Sequence, residues 1–534
     1  MDLNLDELSE TKRSSAKPSA AVADATEERD AAEAAPLGGG TNAAIATIGR
    51  HALVYGAGIV ISKLASFIML PIYTRHLTPA DYGVLELLAM TIEIYGILTG
   101  MCVFASVFRF HAAYETIEDR NEVLSTAAIG LSSVAAVGAL LGILASPLLG
   151  DLVLDGTPGS ALFFRLFFLT HLAQSVEAVP LLHLRILNRS GTFVVFNVAK
   201  LIAALILNIY LVVGLKLGVL GVLISNLTVT AISAAVLFVQ FLRRVPARFS
   251  AEKLWSMVRF GYPVALSVMG SFVLVFSDRY FLQHYVGTGA VGIYSLGAKF
   301  AFLLSALVFT PFEQVWAAQR FEIANRTDAR EVYSKVFLYL NIVLGGAALG
   351  VSLFTPDVVT VMADPAFHGA IAIVPLLLAS QVIHHWASYT NLGLYLNYKT
   401  SQIAWAAGAG LVAVTALNFA LIPRFGIHGA AWAKVGGYGL HFVAMYVLSQ
   451  RQYRIGYGWG RIGLLYAILG AGLLIRGSIG HLALVPSTAL NCLIVLAAAA
   501  ALFATVLSAE ERRFIRRSIG RLGLISRGLR MART

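Results

Sequence analysis

The sequence predicts an all-α, polytopic membrane protein of about 14 transmembrane helices, built as two six-helix lobes plus two extra C-terminal helices. Three features predict this: an excess of apolar residues, their clustering into runs of membrane-spanning length, and the one-sided placement of Lys and Arg. Of the 534 residues, 58% are hydrophobic and 13% are charged. Soluble domains average about 45–50% apolar and about 25% charged, and single cores stop growing near ~250–300 residues. So long and apolar a chain needs lipid around it.

A hydrocarbon layer of about 30 Å takes about 20 apolar residues per helix. On that template the expected spans are 52–73, 83–106, 123–146, 160–182, 192–213, 218–241, 258–278, 290–315, 334–354, 369–394, 402–422, 427–449, 461–475 and 485–507. Positive charge is retained on the cytoplasmic side of membrane proteins. With the N-terminus inside, cytoplasmic connections and the C-terminal tail hold 25 Lys and Arg residues. The opposite connections hold 5, namely Arg75, Lys216, Arg279, Arg424 and Arg476. Both termini are therefore expected in the cytoplasm. The formal charge of +11 then reflects topology and contact with anionic lipid, without nucleic-acid binding.

Residues 1–43 are rich in Ala, Asp, Glu, Ser and Pro and read as a disordered cytoplasmic tail, so that the first span is itself the insertion signal. Residues 509–534 read as a basic cytoplasmic tail lying at the membrane surface. Cys102 and Cys492 lie in apolar runs and set no disulfide framework.

A repeat organises the middle of the chain. Ser66-Phe67 and Arg75 recur as Ser271-Phe272 and Arg279, Leu187-Asn188 as Leu396-Asn397, Leu207-Asn208 as Leu417-Asn418, and Gly218 and Gly221 as Gly426 and Gly429, at offsets of 204 to 210. Spans 1–6 thus match spans 7–12, giving an N-lobe over 44–245 and a C-lobe over 246–455, with two further helices in 456–508. Parallel repeats of this kind bind substrate between their halves.

The stretch Leu70-Pro71-Ile72-Tyr73-Thr74-Arg75-His76-Leu77-Thr78-Pro79-Ala80-Asp81-Tyr82-Gly83 resembles the first interhelical loop of polysaccharide transporters of the O-antigen flippase type. These belong to the multidrug/oligosaccharidyl-lipid/polysaccharide exporter superfamily. Phe260-Gly261-Tyr262-Pro263 through Ser277-Asp278-Arg279, then Val291-Gly292-Ile293-Tyr294, resembles the opening of that family's second lobe. The resemblance covers about residues 44 to 455. It implies two six-helix lobes forming a V, alternating access, an undecaprenyl-pyrophosphate-linked saccharide as cargo and a bacterial inner membrane as location. Membrane lipids, and a polysaccharide polymerase and chain-length regulator, are the partners it suggests.

A flipped headgroup brings a pyrophosphate and sugars to membrane depth, where an ionisable side chain costs about 2.5–3.5 kcal/mol at a helix centre on insertion scales. Basic residues there need a reason. Lys63, Lys200, Lys299 and Lys434 are candidates for the pyrophosphate, whereas Arg165 lies near an interface it can snorkel to. Lys299 shares a stripe with Ser295, Thr310 and Glu313, in a phase that Pro311 weakens, and Lys434 shares a face with Tyr438 and His441. Arg75, Arg279, Glu86 and Asp278 are candidates for the cavity mouth or for plain salt bridges, Asp278 with Arg279 and Glu86 with Arg75. Gln381, His385 and Ser388 follow i, i+4, i+7 spacing, with Asn391 slightly off the face; they suit sugar hydroxyls or, equally, interhelical hydrogen bonds. Glu93, Glu177 and Glu313 are candidates for a coupling proton or sodium ion. Gly56, Gly83, Gly261 and Gly292 suit close packing or bending.

No P-loop, HExxH, CxxC or Gly-x-Ser-x-Gly occurs, so no cofactor, metal or covalent catalysis is expected. Two rival readings stand beside the flippase. A membrane polymerase or glycosyltransferase would present a sizeable outer loop, and the loops around 147–159 and 355–368 are short and hold no Lys or Arg. A cation-coupled multidrug exporter would place acids deep in span 1, which carries Lys63 instead.

Overall fold

The computed structural model describes residues 69–187, 189–480 and 482–513. Among these residues every regular element is helical. In chain order they are α1 (Leu70–His76), α2 (Pro79–Gly96), α3 (Cys102–Ala113), α4 (Ile117–Leu154), α5 (Ser160–Ile186), α6 (Ser190–Asn208), α7 (Gly218–Leu242), α8 (Ala251–Tyr285), α9 (Thr288–Leu304), α10 (Thr310–Ile323), α11 (Ala329–Met362), α12 (Ala370–Thr390), α13 (Leu392–Leu396), α14 (Thr400–Gln452), α15 (Trp459–Ser478) and α16 (Leu484–Thr505). Single π-turns join α2 to α3, follow α6, and join α9 to α10.

Twelve helical segments among the described residues are long and apolar enough to cross a membrane. One of them, α14, is two helices fused across a kink at Gly426, whose φ of 54° and ψ of −128° lie outside the helical region. Its arms are the expected spans 402–422 and 427–449. The short run expected at 461–475 is the 20-residue helix α15. Most of span 52–73, with Lys63 and Gly56, lies outside the described residues, as do residues 1–43 and 514–534.

The helices begin where side chains can satisfy free backbone N–H groups. At the start of α2, the Thr78 hydroxyl accepts from the Asp81 N–H at 3.1 Å while the Asp81 carboxylate accepts from the Thr78 N–H at 3.1 Å, with Pro79 in the first turn. This capping box fixes the entry of α2. At the starts of α4 and α8, the Thr116 and Ser250 hydroxyls accept from the Asp119 and Lys253 N–H groups. With α4 running 38 residues, about 57 Å at 1.5 Å per residue, some helices project well beyond a bilayer. Helix ends still fall in register with the alternation of basic and charge-poor connections. We call the end holding the α1–α2 and α8–α9 turns the charge-poor end.

Large apolar side chains on many helices remain exposed, among them Leu144, Leu152, Val195, Trp405, Leu474 and Val485, as lipid-facing surfaces require. The main buried cluster draws on α2, α5, α9, α11, α12, α15 and α16. A second cluster, with Val107, Leu124, Leu182, Phe241 and Met257, gathers the basic ends of α3, α4, α5, α7 and α8. Helices α15 and α16 dock on α11 through a polar knot: Asp357 accepts from Ser487 Oγ at 2.7 Å and Asn491 Nδ2 at 3.0 Å, and Arg476 donates to Asn491 Oδ1 at 3.0 Å.

Candidate functional site: the α2–α9 crossing

Helices α2 and α9 bring the first and second halves of the chain into contact near the charge-poor end. The contact is reciprocal. A Cβ on Gly83 would sit 1.9 Å from the Thr288 carbonyl oxygen, and a Cβ on Gly292 would sit 1.9 Å from that of Pro79. Only hydrogen fits at either position, so the two backbones touch. Both glycines belong to the motifs that carried the family resemblance.

One turn inward, Glu86 and Lys299 meet across the same crossing, with Lys299 Nζ 2.8 Å from Glu86 Oε1. The ammonium also donates to the Tyr82 hydroxyl. Glu86 lies about 10 Å along α2 from its first residue at 1.5 Å per residue, inside the depth of a bilayer. The Lys299 side chain keeps 34% of its surface exposed. Tyr82, Val84 and Leu87 on α2 are buried. At the rim, Arg75 donates to the Val361 carbonyl at 2.8 Å and Thr74 to that of Met362 at 3.2 Å, at the C-terminus of α11. Tyr82 packs edge-on against Phe367, with ring centroids 5.8 Å apart.

The expected alternative of a Glu86–Arg75 salt bridge is therefore replaced. Glu86 turns to Lys299, and Arg75 satisfies helix-terminal carbonyls, where a cation also meets the negative end of the helix dipole. The other expected bridge forms: Arg279 Nη1 lies 2.9 Å from Asp278 Oδ1. Asp278 also accepts from Lys434 Nζ at 2.7 Å and Tyr294 Oη at 2.5 Å, and Lys434 reaches the Val275 carbonyl at 2.8 Å. This knot is closed off, with Asp278 2% and the Lys434 side chain 8% exposed.

Lys200 and Glu177, expected to serve a phosphate and a coupling ion separately, meet each other, at 2.7 and 2.9 Å between Nζ and the two carboxylate oxygens. Arg165 donates to Ser146 Oγ at 3.2 Å. Glu313 lies 4.0 Å from Arg320 rather than on a stripe with Lys299, because the π-turn Ser305–Phe309 shifts the helical phase between them. Glu93 is exposed on α2. On α12, Gln381 and His385 bond Ser305 Oγ at 3.3 and 2.9 Å, and Ser388 donates to the His384 carbonyl at 3.3 Å. Asn391 ends α12 with its Oδ1 buried and unpartnered. Among the described residues no group of three or more His, Cys, Asp or Glu side chains is disposed to hold a metal.

Sequence reasoning missed Tyr82 as the third member of the Lys299 site. Its signal was present in the Asp81-Tyr82-Gly83 motif, whose glycine brings the tyrosine to the crossing.

The Asp278 knot predicts an asymmetry. In Lys434→Met, Asp278 keeps Arg279 and Tyr294; in Asp278→Asn, two buried cations lose the carboxylate that both contact. Breaking a buried pair by removing one member costs about 3–5 kcal/mol. The melting temperature of purified protein is expected to fall much further for Asp278→Asn than for Lys434→Met, and equal losses would contradict the assignment.

A bundle of apolar helices whose two halves meet over a partly exposed ion pair near the charge-poor end, and over a second group of ion pairs between Lys253 and the Asp119 and Glu122 carboxylates at the basic end, defines a polytopic membrane protein. Residues 48–317 match the family described as polysaccharide biosynthesis protein, and the chain belongs to that family. Two similar proteins are uncharacterized membrane proteins: one from Methanocaldococcus jannaschii, 23% identical over 36% of this chain and 39% of its own length, and one from Haemophilus influenzae, 25% identical over 48% and 62%. The matches thus span less than two thirds of either relative. Among solved structures, the lipid II flippase MurJ in an inward closed conformation superposes with a TM-score of 0.64 at 10% identity, covering 85% of this chain and all of that one. An inward-facing multidrug resistance transporter of the MATE family superposes with a TM-score of 0.58 at 14% identity, covering 73% and 94%. These likenesses describe the fold.

Proposed function

We propose that the protein flips a polyprenyl-pyrophosphate-linked saccharide from the cytoplasmic to the outer leaflet of a bacterial inner membrane, by alternating access of an N-lobe (44–245) and a C-lobe (246–455). The observation that carries this reading is the Lys299–Glu86–Tyr82 constellation. It is contributed by both halves, lies at membrane depth, and stays partly exposed, whereas the Lys434 and Lys200 pairs each lie within one half of the chain. A structure described as a lipid II flippase shares the fold, which favours a lipid-linked cargo.

Chemically, a pyrophosphate competes with the Glu86 carboxylate for the Lys299 ammonium. Charge-assisted hydrogen bonds to phosphate are strong in a dry site, and the Tyr82 hydroxyl adds a neutral donor. Drawing Lys299 toward the headgroup loosens the link between the lobes, so cargo binding and release of the charge-poor seal become one event. Lys63, which lies outside the described residues, is proposed as a second cation for the headgroup. Gln381, His385, Ser388 and Asn391 remain proposals for contact with sugars in a rearranged state, and Glu93 and Glu313 for a coupling ion. Glu177 is already neutralised by Lys200. Both termini are proposed to lie in the cytoplasm, and a polymerase and chain-length regulator of the same membrane are candidate partners. The short charge-poor turns 155–159 and 363–369 offer no room for an outer catalytic domain, which speaks against a polymerase.

Reconstitution in proteoliposomes with a fluorescent polyprenyl-pyrophosphate oligosaccharide tests this reading. Movement of label between leaflets without chain growth is expected; chain growth without movement would give the case to a polymerase.

A further inference from the structure

Two of the three π-turns among the described residues, Ile97–Met101 and Ser305–Phe309, interrupt the two spans that cross at Gly83 and Gly292. They stand at nearly the same distance past the crossing glycine in each half. Each is tied by a hydroxyl to a histidine on another helix of its own half: Thr99 Oγ1 to His171 Nε2 on α5 at 3.0 Å, and Ser305 Oγ to His385 Nε2 on α12 at 2.9 Å. The same device thus occurs twice. Isolated π-turns inside α-helices are uncommon, mark functional positions, and are recognised causes of bending.

The proton in each bond can be placed. The Thr99 hydroxyl donates to the Tyr95 carbonyl at 2.8 Å, which leaves its oxygen to accept from His171 Nε2–H. Ser305 Oγ accepts from Gln381 Nε2 at 3.3 Å and donates to His385 Nε2. The rings are held from the side as well: His171 lies edge-on to Tyr95 at 4.7 Å, and His385 stacks on Phe309 at 3.9 Å.

What lies on either side of each π-turn gives it a mechanical meaning. Toward the charge-poor end, α2 is bound to the second half of the chain, through Glu86–Lys299, Tyr82–Phe367 and Thr91–Tyr280 at 2.9 Å. Beyond the π-turn, α3 is bound to the basic ends of α4, α5 and α7 and to the start of α8, through Val107 and through Ser106 donating to the Met257 carbonyl at 2.7 Å. The π-turn at 97–101 is the junction between the two attachments. In the other half, α9 carries the crossing, while α10 is fixed to α11 and α12 by Trp316 stacked on Tyr389 at 4.9 Å and by the Tyr333 hydroxyl donating to the Arg320 carbonyl at 2.6 Å.

We infer that the two π-turns are paired bend points at which α2–α3 and α9–α10 flex as the halves rock, and that the Thr99–His171 and Ser305–His385 hydrogen bonds are latches holding the charge-poor end shut. The inference rests on the alternating-access reading above, and its test needs no cargo.

Full-length protein carrying Cys102→Ala, Cys492→Ser and Leu87→Cys places one thiol at a buried position one turn below Gly83. In proteoliposomes, its reaction with a membrane-impermeant maleimide added to the charge-poor side reports opening. Thr99→Val and Ser305→Ala are each expected to raise the labelling rate at least threefold. Thr99→Ser, which keeps the hydroxyl, restores the starting rate. Ser380→Ala removes a buried hydroxyl on α12 bonded only to its own helix and leaves the rate unchanged. Unaltered labelling in both latch variants, or Thr99→Ser behaving like Thr99→Val, would overturn the inference. Shifted labelling in a protein that moves no saccharide would instead count against the transport reading alone.

Discussion

Lys299→Gln is expected to abolish transport of a pyrophosphate-linked cargo while leaving the protein inserted and folded. Glutamine is one bond shorter than lysine but keeps a polar hydrogen-bond donor, so it removes the charge with only a modest loss of volume. Two effects then act together. The headgroup loses its cation at the lobe crossing, and Glu86 is left with a carboxylate that no longer has an ammonium 2.8 Å away. An unpaired carboxylate at membrane depth is costly, so Glu86→Gln in the same chain should recover fold stability. It should not recover transport, because the double variant still lacks the cation. That split distinguishes a cargo-binding lysine from one that merely settles packing. Surface-polysaccharide export in cells, read alongside thermal stability of the purified variants, checks it; export at the wild-type level in Lys299→Gln would remove the lysine from the site. Lys63→Gln combined with Lys299→Gln is expected to show no residual export.

Gly83→Ala should be nearly as damaging, for a steric reason. The added methyl would stand 1.9 Å from the Thr288 carbonyl oxygen, and the reciprocal Gly292→Ala 1.9 Å from that of Pro79. Neither obstacle is a flexible side chain. Two backbones would have to separate by more than 1 Å, opening the seal above Lys299 and weakening its reach to Glu86. Either substitution is expected to reduce transport at least tenfold. Gly289 and Gly270 face open space, and alanine there should be tolerated or slightly stabilising, since it favours helix by about 1 kcal/mol over glycine. Equal transport in Gly83→Ala and Gly289→Ala would show that the crossing has no functional role.

Sequence made the helical membrane architecture legible because lipid imposes it: each span must be apolar for about 20 residues, and basic connections must stay on one side. The capping box at Thr78 and Asp81 is likewise a local signal. Partner choice among membrane-depth charges was much less legible. Glu86 and Lys299 lie on different halves of the chain, and their meeting depends on a crossing that the two glycines permit but do not announce. Arg75 stands nearer to Glu86 in sequence, yet it faces the end of α11. Helical phase failed for a definite reason as well. The stripe from Lys299 to Glu313 runs through the π-turn Ser305–Phe309, and a change of winding there cancels any projection made at 3.6 residues per turn. The i, i+4 spacing of Gln381 and His385 puts both on one face of α12, and that face is turned to Ser305 within its own half.

The central claim, that Lys299 holds the charged headgroup, is tested most directly by affinity. Purified protein in nanodiscs can be titrated with a polyprenyl-pyrophosphate saccharide and with the uncharged polyprenol of the same length. Lys299→Gln is expected to weaken binding of the pyrophosphate ligand at least tenfold, about 1.4 kcal/mol, and to leave binding of the polyprenol unchanged. Equal affinity of wild type and Lys299→Gln for the pyrophosphate ligand would contradict the claim.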